Sequence, residues 1–238
     1  MKPFFWIARM PLTFQVMIFT PVRIIKSGLY CHMHFFRIAL VCVLVAGCSS
    51  KKEEPVNTYK NEKFGFSIVP PNGWTMVTAD GAPDFLRQHG DRLTRTSQDA
   101  MLNPVVGRNT WVVAWVKLDA KDKIAPMLWV THNSVGLPSV GPPELEKSKA
   151  ALRAKVAATG WRDFTQESAQ LGETDGLKDV WMQYAGTLDG AYLRVSETMV
   201  PSRNMTHFVA LSAEIPNWEE YSRLYGEVVF RFRSFGQR

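Results

Sequence analysis

Tyr59-Lys60-Asn61-Glu62-Lys63-Phe64-Gly65-Phe66-Ser67-Ile68-Val69-Pro70-Pro71-Asn72-Gly73-Trp74 is the first stretch of this 238-residue chain that reads as folded protein. Phe64, Phe66 and Ile68 alternate with Gly65, Ser67 and Val69, the period of two expected of a strand with one face in a core. Pro70 and Pro71 end it, because neither can donate to a ladder. Asn72-Gly73 then predicts a tight turn, since both residues tolerate positive φ, and Trp74 begins a return strand.

Upstream of this stretch the character changes twice. Residues 49–58 (SSKKEEPVNT) are polar and without apolar periodicity, as befits a tether. Before them stands Leu44-Val45-Ala46-Gly47-Cys48-Ser49-Ser50, which resembles a bacterial lipobox. The resemblance implies cleavage between Gly47 and Cys48 and a diacylglycerol on the Cys48 sulfur. Residues 1–47 carry Lys2, Arg9, Arg23, Lys26 and Arg37 and no Asp or Glu, the one-sided charge of an export signal. From Ile38 to Gly47 the run is apolar for ten residues, against the roughly 20 a membrane-crossing helix needs. It therefore reads as the h-region of a signal peptide. Translation starting at Met33 gives a complete short leader; a start at Met1, Met10 or Met17 gives a longer one broken by Pro11 and Pro21. Two or three acyl chains hold a protein to a bilayer durably, where one holds it marginally at about 0.8 kcal/mol per buried methylene. By resemblance to enterobacterial lipoproteins, Ser49 favours sorting to the periplasmic face of the outer membrane, with the inner membrane as the alternative.

Subtracting the leader alters the charge argument. The whole chain has 28 Lys and Arg against 22 Asp and Glu, a net charge of +6; without the five leader cations, 23 oppose 22. The basic character belongs to export, and no nucleic-acid partner is expected. Cys31 and Cys42 lie in the leader, so beyond Cys48 no thiol is left for a disulfide, a redox pair or a thiolate metal site.

Downstream, Pro83-Asp84 predicts a helix start with Phe85, Leu86, His89 and Leu93 on one side, weakened at Gly90-Asp91. Trp111 to Val116 is a continuous apolar run rich in β-formers, predicting a strand covered on both faces. Residues 126–132 (PMLWVTH) read as its neighbour across the polar connection 120–123. Pro142-Pro143-Glu144 opens the clearest helix, with Leu145, Leu152 and Val156 as its apolar stripe and Gly160 as its stop. Its other face, Lys147, Lys149, Arg153 and Lys155, is a solvated face or, alternatively, a contact for anionic lipid. Residues 161–170, 177–187, 192–200 and 205–214 follow as strands, with Asp189-Gly190 the best hairpin turn among them. Asn217 and Glu220 suggest a capping box for a final helix carrying Trp218, Tyr221, Leu224, Tyr225 and Val228. Strands in a meander with helices interposed predict an α+β domain, an antiparallel β-sheet with helices packed on both faces in a three-layer α/β/α sandwich.

The opening pattern, Tyr59, Asn61, Gly65, Phe66, Ser67, Ile68, Pro70 or Pro71, Gly73 and Trp74, just after a lipobox, resembles the PsbP-like superfamily and in particular the DcrB-type bacterial lipoproteins. The closing Ser234-Phe235 after a helix is similar to that family's end. The resemblance covers 59–236 as one domain, with the middle matched by element order alone. It implies the same three-layer sandwich and, from relatives that include a photosystem II auxiliary subunit and a nuclear-import protein binding a small GTPase, a habit of protein association.

His89, His132 and His207 share no metal-ligand spacing such as HxH or HExxH, so no metal is implied. There is no G-x-S-x-G elbow and no Gly-rich phosphate cradle. The paired acids Glu144/Glu146, Glu173/Asp175 and Glu219/Glu220 sit at helix starts and turns, where dipole and turn geometry account for them. No catalytic residue and no cofactor is assigned. Trp111, Trp115, Trp129 and Trp181 either line a ligand cleft or pack in the core. Two functions follow: a non-enzymatic, lipid-anchored module of the cell envelope that docks to a protein partner, or a periplasmic hydrolase or small-ligand carrier with a cleft between sheet and helix. A histidine beside a carboxylate in a deep pocket favours hydrolysis, and packed histidines favour docking.

Overall fold

The structure is a computed structural model that describes residues 57–137, 140–202 and 204–235. The leader, the cleavage site at Gly47 and Cys48, the sorting residue Ser49 and most of the tether lie outside the described residues. Eleven strands and four α-helices follow in the order β1 (Tyr59–Asn61), β2 (Phe66–Ile68), β3 (Thr75–Thr78), α1 (Ala82–His89), α2 (Arg95–Leu102), β4 (Val105–Val106), β5 (Asn109–Val116), β6 (Met127–Asn133), α3 (Pro142–Ala158), β7 (Arg162–Thr174), β8 (Leu177–Leu188), β9 (Ala191–Pro201), β10 (Thr206–Glu214), α4 (Trp218–Arg231) and β11 (Arg233–Ser234).

The main sheet is antiparallel throughout, in the order β3-β5-β6-β10-β9-β8-β7, with β4 paired to β5 at one end. The predicted meander is β7-β8-β9-β10, and β10 joins it to the β5-β6 hairpin through pairs such as His207↔His132. β5 shows how an apolar run serves two faces. A bulge between Trp111 and Val113 turns the strand by one residue, so that Val113 and Trp115 face one side and Ala114 and Val116 the other. All four are buried, as a strand covered on both faces requires.

One face of this sheet is covered by α4 and by a small second sheet, β1-β2-β11. Phe66 and Ile68 of β2 are fully buried there, and Phe66 stacks on Phe232 at 5.6 Å between ring centroids. Tyr225 of α4 is buried as well; its hydroxyl donates to the Val209 carbonyl at 2.9 Å and hydrogen-bonds the Thr198 hydroxyl at 2.6 Å. Burial pushes that phenol well above its ordinary range. The opposite face carries α1 and α2 over the β3-β5 end and α3 over the β7-β8-β9 end. The α+β, three-layer arrangement read from the sequence is the one observed.

Three local expectations need correction. The Pro70-Pro71-Asn72-Gly73 segment turns as expected, with Gly73 at φ 76°, but it does not close a hairpin. β2 pairs with β1 and β11, whereas β3 pairs with β5, so the prolines carry the chain from one sheet to the other. Phe64 lies outside β2 in a turn whose Gly65 takes φ 63°, packed on the core rather than in register with Phe66. Asn217 makes no side-chain cap to α4; its amide donates instead to Asp122 at 2.7 Å. Helix α2, with Thr94 accepting from the Ser97 N–H at 3.1 Å, had not been expected from apolar spacing.

Candidate functional site

Between α2 and α3 the helical layer parts, and the sheet beneath is left as the floor of a groove of about 700 Å³. The floor comes from alternate residues of inner strands: Trp111 of β5, Met127 and Trp129 of β6, Phe208 of β10, Met199 of β9 and Met182 of β8. One wall is α2, with Ser97 and Ala100, and its C-cap Asn103; the other is α3, with Ser148, Ala151 and Lys155. Three methionines on the floor supply unbranched, polarizable side chains that adapt to a guest's shape. The volume lies in the range of small-molecule sites, roughly 300–1,000 Å³.

The polar features of the groove are few and paired. Glu197 sits on β9 between Val195 and Met199, and its side chain is 10 % exposed. Lys155 reaches it from α3 at 3.1 Å. The Glu197 carboxylate, and after it the Tyr184 hydroxyl, hold the Lys155 ammonium well above the ordinary lysine range despite desolvation. Tyr184, buried beside them, is pushed up to about 12, first by burial. Nearer the start of α3, Lys147 pairs with Glu144 at 3.5 Å. Along one lip, the α2–β4 connection exposes Leu102, Val105 and Val106, each more than half accessible to solvent, and Val106 itself lines the groove.

The four tryptophans singled out in the sequence divide between the two readings. Trp111 and Trp129 line the groove. Trp115 and Trp181 point to the α4 side, where Trp115 meets Tyr59 edge-on at 5.5 Å. Of the α3 cations, Lys155 and Lys147 line the groove and Lys149 pairs with Glu146 at 2.7 Å. Sequence reasoning missed Glu197, Phe208 and the three methionines. The available signal is Glu197, an acid on the same alternate-residue face as the apolar Val195 and Met199. A buried charge of that kind needs a partner, and the partner marks the site.

Among the described residues, none of the histidines, His89, His132 and His207, lines the groove. His132 and His207 form a cross-strand pair on the opposite, α4 face, with ring centroids 5.5 Å apart. His207 is fully buried against Phe66 and Phe232, and its Nε2–H donates to the Phe64 carbonyl at 2.8 Å. Burial pushes it down to about 4, against the pull of that hydrogen bond, and the neighbouring His132 adds in the same direction. His132 lies between Phe64 and His207 and is also lowered by desolvation. His89 rests on Phe85 at 5.2 Å. Among the described residues, no group of three His, Cys, Asp or Glu is placed to hold a metal ion, and no helix is long and apolar enough to cross a membrane.

Comparisons with known proteins bear on the fold. No family model matches the chain, and no curated protein matches it. Among solved structures, the chain is similar to cyanobacterial PsbP from Synechocystis sp. PCC 6803, with 16 % identity and a TM-score of 0.51 over 79 % of this chain and 99 % of that one. A protein from Bacteroides thetaiotaomicron matches at 7 % identity and a TM-score of 0.43, over 76 % of this chain and 49 % of that one. A Pseudomonas aeruginosa protein of unknown function matches at 10 % identity and a TM-score of 0.33, over 71 % of this chain and 90 % of that one. With its order of strands, its helices on both faces of the sheet and this likeness to cyanobacterial PsbP, the chain has a PsbP-like fold.

Proposed function

We propose that this chain is a non-enzymatic binding module of the cell envelope, held at a membrane by lipid on Cys48, and that the groove between α2 and α3 is its binding site. The observation that carries the reading is the groove itself, a space of about 700 Å³ between two helical walls whose apolar floor is buried at Trp111 and the three methionines and partly open at Trp129 and Phe208. Packing alone would favour closing over Trp129 and Phe208, whose partly exposed surface forfeits about 25 cal/mol per Å². The groove favours carriage of a small ligand over docking of a large protein face, since a standard protein interface buries about 800 Å² per partner on a surface that is close to flat. The histidines support binding rather than hydrolysis, because His132 and His207 pack against aromatic rings on the other side of the sheet and His89 rests on Phe85 of its own helix, outside the groove lining. The anchor rests on the lipobox-like sequence and sets the place of action at the periplasmic face of an envelope membrane.

The experiment is crosslinking in intact cells from a photoreactive residue at Ala151, which lines the groove, with Glu227 on the exposed side of α4 as the control position. A defined adduct from Ala151 and none from Glu227 is the expected result. Equal labelling from both positions, or none from either, refutes the groove as the binding site. In the same cells Cys48→Ser is expected to move the protein from the membrane to the soluble periplasmic fraction, and continued membrane fractionation refutes the anchor.

A further inference from the structure

We infer that the groove takes the hydrocarbon chain of a single-chain amphiphile, such as a fatty acid or a lysophospholipid, with the head group left at the mouth. The inference rests on the reading of the groove as a binding site and narrows it to one class of guest. The floor strands β5, β6, β10, β9 and β8 are all interior to the sheet, each paired on both sides. An extended peptide lying there finds no open strand edge, and its backbone N–H and C=O groups, each costly to desolvate without a partner, would face Met127, Trp129, Met182 and Phe208. A hydrocarbon chain brings no such groups.

Charge complementarity points the same way. Among the described residues that line the groove, the charged ones are Glu144, Lys147, Lys155 and Glu197, and they are paired as Lys147–Glu144 and Lys155–Glu197. A charged group in the body of a guest would have to break one of these pairs, whereas an uncharged chain leaves both intact. The lip gives the route of entry. Leu102, Val105 and Val106 stand out to solvent beside the mouth, which suits contact with a membrane surface from which a chain can slide onto the floor.

The test uses the full chain carrying Cys48→Ser, so that no covalent acyl chain competes, titrated with bromine-labelled stearate below its micellar concentration. Trp111 and Trp129 lie in the groove, so a bromine bound there quenches tryptophan fluorescence, saturably and at one site. Ala151→Phe on α3 and Ala100→Phe on α2 fill the groove from opposite walls, and each is expected to weaken binding about tenfold or more. Trp129→Phe should reduce the depth of quenching more than Trp181→Phe, which lies on the other face. No saturable quenching, or unchanged affinity in both groove-filling variants, overturns the inference. An Ala151 crosslink in cells that joins a second polypeptide instead of a lipid-sized adduct also overturns it and leaves the binding-module reading standing; the absence of both signals removes both.

Discussion

His207 offers the sharpest test of the packing on the α4 face, because its burial should be visible as acid sensitivity. The ring is fully buried among Phe66, Phe232 and His132, and its folded-state value is pushed from 6.5 to about 4. Above pH 6.5 the imidazole is neutral in both folded and unfolded chains, and its contribution is fully present. Between 6.5 and about 4 the unfolded chain takes up a proton that the folded chain refuses, so stability falls as pH falls. At about 1.4 kcal/mol per pH unit, that gap corresponds to about 3 kcal/mol lost by pH 4. His132, also lowered, adds to the loss in the same window. Urea unfolding at a series of pH values measures the total, and an NMR titration of the imidazole nitrogens assigns it. In His207→Gln the amide can still donate to the Phe64 carbonyl, so the variant should fold but lose most of the slope between pH 6.5 and 4. If His207 titrates near 6.5 in the folded chain, or the wild-type slope persists in the variant, the buried neutral ring is wrong.

Two further substitutions probe the layers on either side of the sheet. Tyr225→Phe removes the hydroxyl that joins α4 to Thr198 and the Val209 carbonyl, and should cost about 1–3 kcal/mol in chemical unfolding, because the Thr198 hydroxyl stays buried without its partner. Lys155→Met strands Glu197 on the groove floor; the expected loss is about 1–2 kcal/mol, below the roughly 3–5 of a fully buried pair because Lys155 is half exposed. Adding Glu197→Leu should recover that loss, and a double variant less stable than Lys155→Met alone would refute the pairing.

The parts of this fold that could be read from the chain are those where one residue's chemistry decides local geometry. Pro142-Pro143-Glu144 opens α3, and Glu144 reaches back to the Gly141 N–H at 3.1 Å. Gly160, at φ 74°, lies just past its end, as expected of a helix stop. Asp189 and Gly190, both at positive φ, turn β8 into β9. The apolar run 111–116 announced a strand covered on both faces, although the bulge that shares it between them has no sequence mark. The partition of strands between two sheets was not legible: β2 and β3 are joined by a good turn, and only the long-range pairing of β2 with β11 takes them apart. The groove was half legible. Trp111 and Trp129 stand out in the sequence as candidates, but whether a tryptophan faces a helix or a gap depends on where two distant helices stop.

That gap follows from the dimensions of the layers. Seven strands side by side at about 4.8 Å make a sheet about 29 Å across. A helix with its side chains covers about 10 Å of that width. On the groove face, α1 and α2 lie over the β3-β5 end and α3 over the β7-β8 end, which leaves about a helix's width bare above β6 and β10. On the other face the same central strands are sealed by α4, whose Tyr225 and Val228 pack onto Val209 and Leu211. One sheet therefore has a side sealed along its centre and a side whose two buried clusters, under α1–α2 and under α3, are separated by the gap. Trp129 and Phe208 can stay partly open at that gap because α4 and the β1-β2-β11 sheet hold the same strands from behind. Substitutions at the partly open Trp129 and Phe208 should accordingly change what the protein binds more than whether it folds, and those around Tyr225 and His207 the reverse.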